Sequence, residues 1–140
     1  MIHRELENCL AAAFAKAAQG GCEVVTIEHL LLALLDSNFV IADFLALGVG
    51  VPSLKRLLEE HVQKTSSKRL GMDAVDPIAS EGFQHVMNRA ITYVNGIPRT
   101  PRRVYCHDVI ASILKETDSR AAQLLKLQGL SSAKIIELYA

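Results

Sequence analysis

Apolar residues recur at steps of three and four along most of this chain, a period that predicts helices. In "ELENCLAAAFAKAA" the positions Leu6, Cys9, Leu10, Ala13, Phe14 and Ala17 make one stripe of an amphipathic helix, and "GGC", Gly20 to Cys22, ends it. The next segment differs. "TIEHLLLALL", Thr26 to Leu35, is apolar on nearly every side, with Glu28 on what reads as its only polar face. Thr26 suits an N-cap, because its hydroxyl can accept a free amide of the first turn. Asp36-Ser37-Asn38 is turn chemistry that also caps a third helix ending near Gly48. Pro52, tolerated in a first turn, opens a fourth that runs to about Lys64.

The pattern then repeats. Phe83, Val86, Met87, Ala90, Ile91 and Val94 copy the first stripe 77 positions later. Cys106, Val109, Ile110, Ile113 and Leu114 copy Ile27, Leu30, Leu31, Leu34 and Leu35 at a separation of 79. Ile41, Phe44 and Leu45 pair with Ala121, Leu124 and Leu125, and Gly50-Val51 with Gly129-Leu130. Agreement at three helices with a nearly constant offset marks an internal duplication. The expected fold is all-α, eight helices arranged as two pseudo-twofold four-helix repeats. A helix apolar all round must be surrounded, so the second helix of each copy belongs in the middle. Burying around six large aliphatic side chains there contributes on the order of 10 kcal/mol before chain entropy is subtracted. The expected division is a single domain over 1–140, with repeat 1 over about 1–65, a Gly-, Pro- and Ser-bearing linker over 66–79, and repeat 2 over about 80–140. A second irregular stretch, "NGIPRTPRR" from Asn95 to Arg103, joins the fifth helix to the sixth, since its prolines bar a helix.

Composition narrows the function classes. Lys plus Arg and Asp plus Glu are 15 each, so nothing global points to a nucleic-acid or membrane surface. Apolar runs fall short of the roughly 18 residues a membrane span needs, and "MIHRELEN" lacks the apolar core of a signal peptide. Three cysteines without CxxC spacing indicate neither a disulfide framework nor a zinc knuckle. The compartment expected from this is cytoplasmic.

Taken together, "RELENCLAAAFAKA", "VTIEHLLLALL", "FQHVMNRAI" and "SRAAQLLKLQG" resemble the N-terminal domain of Clp/Hsp100 AAA+ unfoldases, closest to the ClpA subclass, over essentially the whole chain. The resemblance implies a docking domain on an ATP-driven hexamer that unfolds proteins and feeds the ClpP peptidase. It implies a ClpS-type adaptor that delivers substrates with destabilising N-terminal residues, and protein substrates as the other partners. No nucleic acid or membrane is expected as a partner, and the isolated domain is expected to be a monomer. No GxxxxGK[ST] loop is present, so the domain itself is expected to be non-catalytic and free of cofactor. ATP and Mg would belong to AAA+ modules outside the chain. One departure is Tyr105, which stands where a Thr would repeat Thr26, removing a cap worth roughly 1 kcal/mol.

The resemblance implies adaptor docking at the face that carries Glu28, and because the fifth helix opens a repeat as the first does, Ser80, Glu81, Gln84 and His85 read as the second half of that docking site. Glu28 reads as an exposed acid that also favours the helix dipole. Ser80 reads as the N-cap of the fifth helix with Phe83 turned inward, and Glu81, Gln84 and His85 as a polar rim beside it. His29 reads as a core histidine bonded to a carbonyl. Cys106-His107 fails as a nucleophile and base, because adjacent helical residues diverge by about 100°. Arg99, Arg102 and Arg103 read as a solvated basic loop. Two alternatives are an N-domain of the ClpC or ClpB kind, binding other adaptors or unfolded substrate, and a free-standing helical regulator that binds nucleic acid through those arginines.

Overall fold

Each stripe forms the helix its period predicts. The computed structural model describes residues 1–65 and 76–139. It contains α1 (Arg4–Gln19), β1 (Val24–Val25), α2 (Ile27–Leu34), α3 (Asn38–Ala46) and α4 (Val51–Thr65). These are followed by β2 (Ile78–Ala79), α5 (Glu81–Asn95), α6 (Cys106–Lys115), α7 (Arg120–Leu127) and α8 (Ser132–Leu138). Local chemistry sets the starts. Ser80, Ser119 and Ser131 each accept the amide three residues on, from Phe83, Ala122 and Lys134. His3 plays the same part for α1 by accepting the Glu5 amide through Nδ1 at 3.3 Å.

The apolar helix is central. Every residue of α2 is buried, and its surroundings are α1, α4, α5, α6 and α7. Its counterpart α6 is buried along Val109, Ile110, Ser112, Ile113 and Leu114. The first stripes of the two halves meet directly, with the Phe14 and Phe83 rings edge-to-face at 5.6 Å.

Two very short parallel pairings cross between the halves. β1, just before α2, pairs with β2, just before α5, with Val24 opposite Ile78 and Val25 opposite Ala79. Ile2, just before α1, bridges Val104, just before α6, also in parallel. Each half thus lends the lead-in of its first helix to the lead-in of the other half's second helix. The expected linker is corrected at this point: Ile78 and Ala79 are strand, while 66–75 lie outside the described residues.

The expected register of the third helices is also corrected. Gly48 and Gly129 both take positive φ, 76° and 84°, at the ends of α3 and α7. Each is followed by a buried apolar residue, and the Val49 and Leu130 amides return to the carbonyls of Phe44 and Leu125. The match is therefore Gly48-Val49 with Gly129-Leu130, an offset of 81 rather than 79. The slip arises between α6 and α7, where Glu116 to Asp118 make a longer turn than the one after α2. Val40 and Phe44 accordingly share the buried face with Ala121 and Leu125, while Leu45 is 77% exposed.

Candidate functional site

The start of α5 gathers most of the residues expected to bind an adaptor. Ser80 is half-buried and its hydroxyl accepts the Phe83 amide at 3.1 Å, with Phe83 inside as expected. Glu81, Gln84 and His85 are exposed on the outer side of the first two turns. Gln84 folds back, and its Nε2 donates to the Ala79 carbonyl at 3.1 Å, tying the helix to β2. The platform is tightly seated. A Cβ on Gly82 would stand 2.9 Å from Ile27 Cδ1, so glycine permits α5 to approach the first turn of α2.

Glu28 does not join this rim. It is only 9% exposed, and its Oε2 accepts the Ala121 amide at 2.9 Å. Ala121 lies in the first turn of α7, in the other half of the molecule, where free amides and the helix dipole both favour a carboxylate. The expectation of an exposed acid is corrected: Glu28 caps a helix 93 residues away. Its neighbour His29 is also buried. His29 Nδ1 accepts the Thr26 amide at 3.1 Å and the Thr26 hydroxyl accepts the His29 amide, a reciprocal cap rather than a bond to a carbonyl. Burial holds its pKa below the ordinary imidazole value, against the opposing pull of Glu28.

In the second half, His107 stands where Glu28 stands in the first. Its ring is stacked between Tyr105 (5.7 Å) and Tyr139 (3.5 Å), and burial lowers its pKa despite neighbouring Asp108. This stack borders a cleft of about 290 Å³ whose polar groups include the Glu5 and Asp43 carboxylates, with Phe39 and His3 at its edge. Tyr139 donates its hydroxyl to Asp43, and burial followed by that bond raises its pKa.

Asp108 is the functional-looking group that sequence reasoning passed over. It is buried and accepts three bonds, from the Tyr105 amide (2.8 Å) and from Arg99 Nη1 (2.7 Å) and Nη2 (3.0 Å). The first bond repeats the His29 half of the α2 cap, with an acid three residues on accepting the N-cap amide, while Tyr105 makes no side-chain cap bond in place of the Thr26 hydroxyl. The other two raise the Arg99 pKa and remove this guanidinium from the solvated arginine loop. The nucleic-acid reading loses its best-placed cation. Cys106 is buried, and its thiol pKa is pushed up by a hydrogen bond with Cys9 and by burial, the reverse of an activated nucleophile. Among the described residues no three His, Cys, Asp or Glu side chains are grouped as metal ligands would be.

The profile of the Clp repeat (R) N-terminal domain matches residues 1–128. A ClpA homolog protein from Fuscovulum blasticum is 29% identical over 136 residues, covering 96% of this chain and 17% of the relative. The chain thus spans about a sixth of that relative's length. The Hsp104 N-terminal domain from Candida albicans superposes with a TM-score of 0.78 at 16% identity, over 99% of this chain and 91% of its own. The N-terminal domain of the ClpV1 ATPase from an E. coli type VI secretion system gives 0.76 at 14%, over 98% and 82%.

Proposed function

This chain belongs to the Clp N-terminal domain family, and we propose that it docks an adaptor for a ClpA-type unfoldase at the start of α5. A Clp N-domain is a non-catalytic accessory domain of AAA+ proteins and fits an adaptor- or substrate-docking role. The adaptor in this reading is of the ClpS type, and the assembly is a cytoplasmic hexamer that passes unfolded chains to ClpP. ATP and Mg act in its motor modules and not in this domain.

The observation that supports the reading is the exposed face of Glu81, Gln84 and His85 on a helix start fixed from below by Gly82 against Ile27. Polar side chains on a rigid frame suit a modest, partly wet interface, because little chain entropy is lost when a partner orders them. Glu28 contributes from beneath by holding the two halves in register and makes no direct contact in this proposal.

Titration with a ClpS-type adaptor tests it. Glu81→Lys combined with His85→Ala reverses the formal charge of the face without touching the core, and about a tenfold loss of affinity is expected. Unchanged affinity rejects this face. A chain that ignores the adaptor yet binds an unfolded protein belongs instead with the ClpB-like class.

A further inference from the structure

The two halves also meet through sulfur. Cys9 sits on the buried stripe of α1 in the first half, and Cys106 is the first residue of α6 in the second. They are 4% and 6% exposed, and their side chains share a hydrogen bond. The backbone holds the two helix starts together. Ile2 bridges Val104, the His3 amide donates to the Val104 carbonyl at 2.9 Å, and the His3 and Tyr105 rings lie 4.8 Å apart. Cys22, the third cysteine, is placed differently. It follows the far end of α1 with its amide on the Ala17 carbonyl, roughly two helical turns beyond Cys9 and outside disulfide reach of it.

Access and reactivity both favour chemistry at this pair. Cys106 lines the cleft of about 290 Å³ bordered by the His107–Tyr139 stack, so an oxidant of a few atoms meets the pair from that side. The two thiols do not share their protons equally. The hydrogen bond lowers the Cys9 pKa, against burial and the Glu5 and Asp36 carboxylates, and raises that of Cys106. Cys9 is thus the first to become a thiolate, while Cys106 keeps its proton and donates it.

We propose that Cys9 and Cys106 are a redox-modifiable pair that closes to a disulfide under peroxide and staples the two halves together along the α1–α6 seam. The Cys9 thiolate attacks one peroxide oxygen, the O–O bond breaks, and hydroxide leaves to take up the proton that Cys9 had shed. The product is a sulfenic acid. Cys106 sulfur then attacks Cys9 sulfur, the S–S bond forms, the S–O bond breaks, and the Cys106 proton departs with the hydroxyl as water. Two thiols are oxidised and one peroxide is reduced to two waters. The bond closes most of the chain into one ring, which restricts the unfolded state strongly. Added thiol reopens it by exchange. This site is independent of the adaptor face.

The test is peptide mapping by mass spectrometry of the folded protein after hydrogen peroxide, with remaining thiols blocked by N-ethylmaleimide. A Cys9–Cys106 cross-linked peptide pair is expected in monomeric protein, lost on dithiothreitol, with Cys22 recovered as a blocked thiol. The oxidised form is expected to unfold at least about 5 °C higher. Cys22→Ala should leave the cross-link intact. In Cys106→Ala, shown to be folded by circular dichroism, Cys9 is expected to accumulate as sulfenic acid that dimedone labels. If that variant does not fold, the wild-type map alone decides. Three untouched thiols, sulfinic or sulfonic acid without a cross-link, or a bond through Cys22 or between molecules overturns the proposal. An unchanged or lowered thermal midpoint in the cross-linked protein overturns the staple.

Discussion

At the residue scale, the buried side chains of Glu28, His29 and Asp108 each accept a backbone amide at a helix start. Glu28→Ala leaves the Ala121 amide buried without its partner, and a loss of about 2 kcal/mol is expected in chemical denaturation. Acid sensitivity follows from the histidines. Burial holds both His29 and His107 below the ordinary imidazole pKa, so near pH 6.5 the unfolded chain takes up protons that the folded one refuses. Their contribution is complete above that pH and is lost as pH falls through it, with a slope of at most about 1.4 kcal/mol per pH unit for each imidazole. His29→Gln should flatten the stability profile between pH 7 and 5, measured by urea denaturation at each pH. The role of Glu28 does not follow from sequence distance. Glu28 sits on the polar side of its own helix, and only the fold brings the α7 amides to it. Asp108 was the more readable case, because an acid three residues after a helix start is a recurrent capping signal.

At the element scale, legibility tracked periodicity. The stripes of α1, α2, α5 and α6 are single-faced or wholly apolar, so their burial was plain from spacing alone. "NFVIADFLA" of α3 has apolar residues all round, and its stripe can be laid in more than one register; the register that pairs Leu45 with buried Leu125 is displaced, and Leu45 lies out. The glycines resolve the register, since only a residue free of Cβ enters the left-handed region without strain. Gly129→Ala and Gly48→Ala should each cost about 1 kcal/mol, read as parallel drops in thermal midpoint. A clear inequality between the two would mean that one helix end relaxes where the other cannot. The crossed pairings gave no signal, because two-residue strands are too short for an alternating pattern to form.

At the scale of the whole molecule, the halves are mutually dependent. α2 borrows α5, α6 and α7 for its surroundings, α3 packs on α6, and the lead-in segments pair across the divide. Neither half encloses its own apolar rod. Fragments covering 1–65 and 80–140 should each show little helix by circular dichroism and regain it on mixing. Substantial helix in either fragment alone would show that one repeat closes its own core. The same dependence explains why the duplication was visible in the sequence while the docking surface was not. Core positions are constrained by their counterparts, whereas the exposed face of α5 answers only to solvent and to partners.

The crossed lead-ins carry a consequence for handling the protein. Because β1 meets β2 and Ile2 meets Val104 across the two halves, a pair of molecules can trade halves and rebuild every such contact between chains. The compact monomer and the exchanged dimer then differ by chain connectivity far more than by contact energy, the circumstance that favours domain swapping. Refolding from denaturant at high protein concentration should therefore leave a slowly separating dimer, and refolding at high dilution should not.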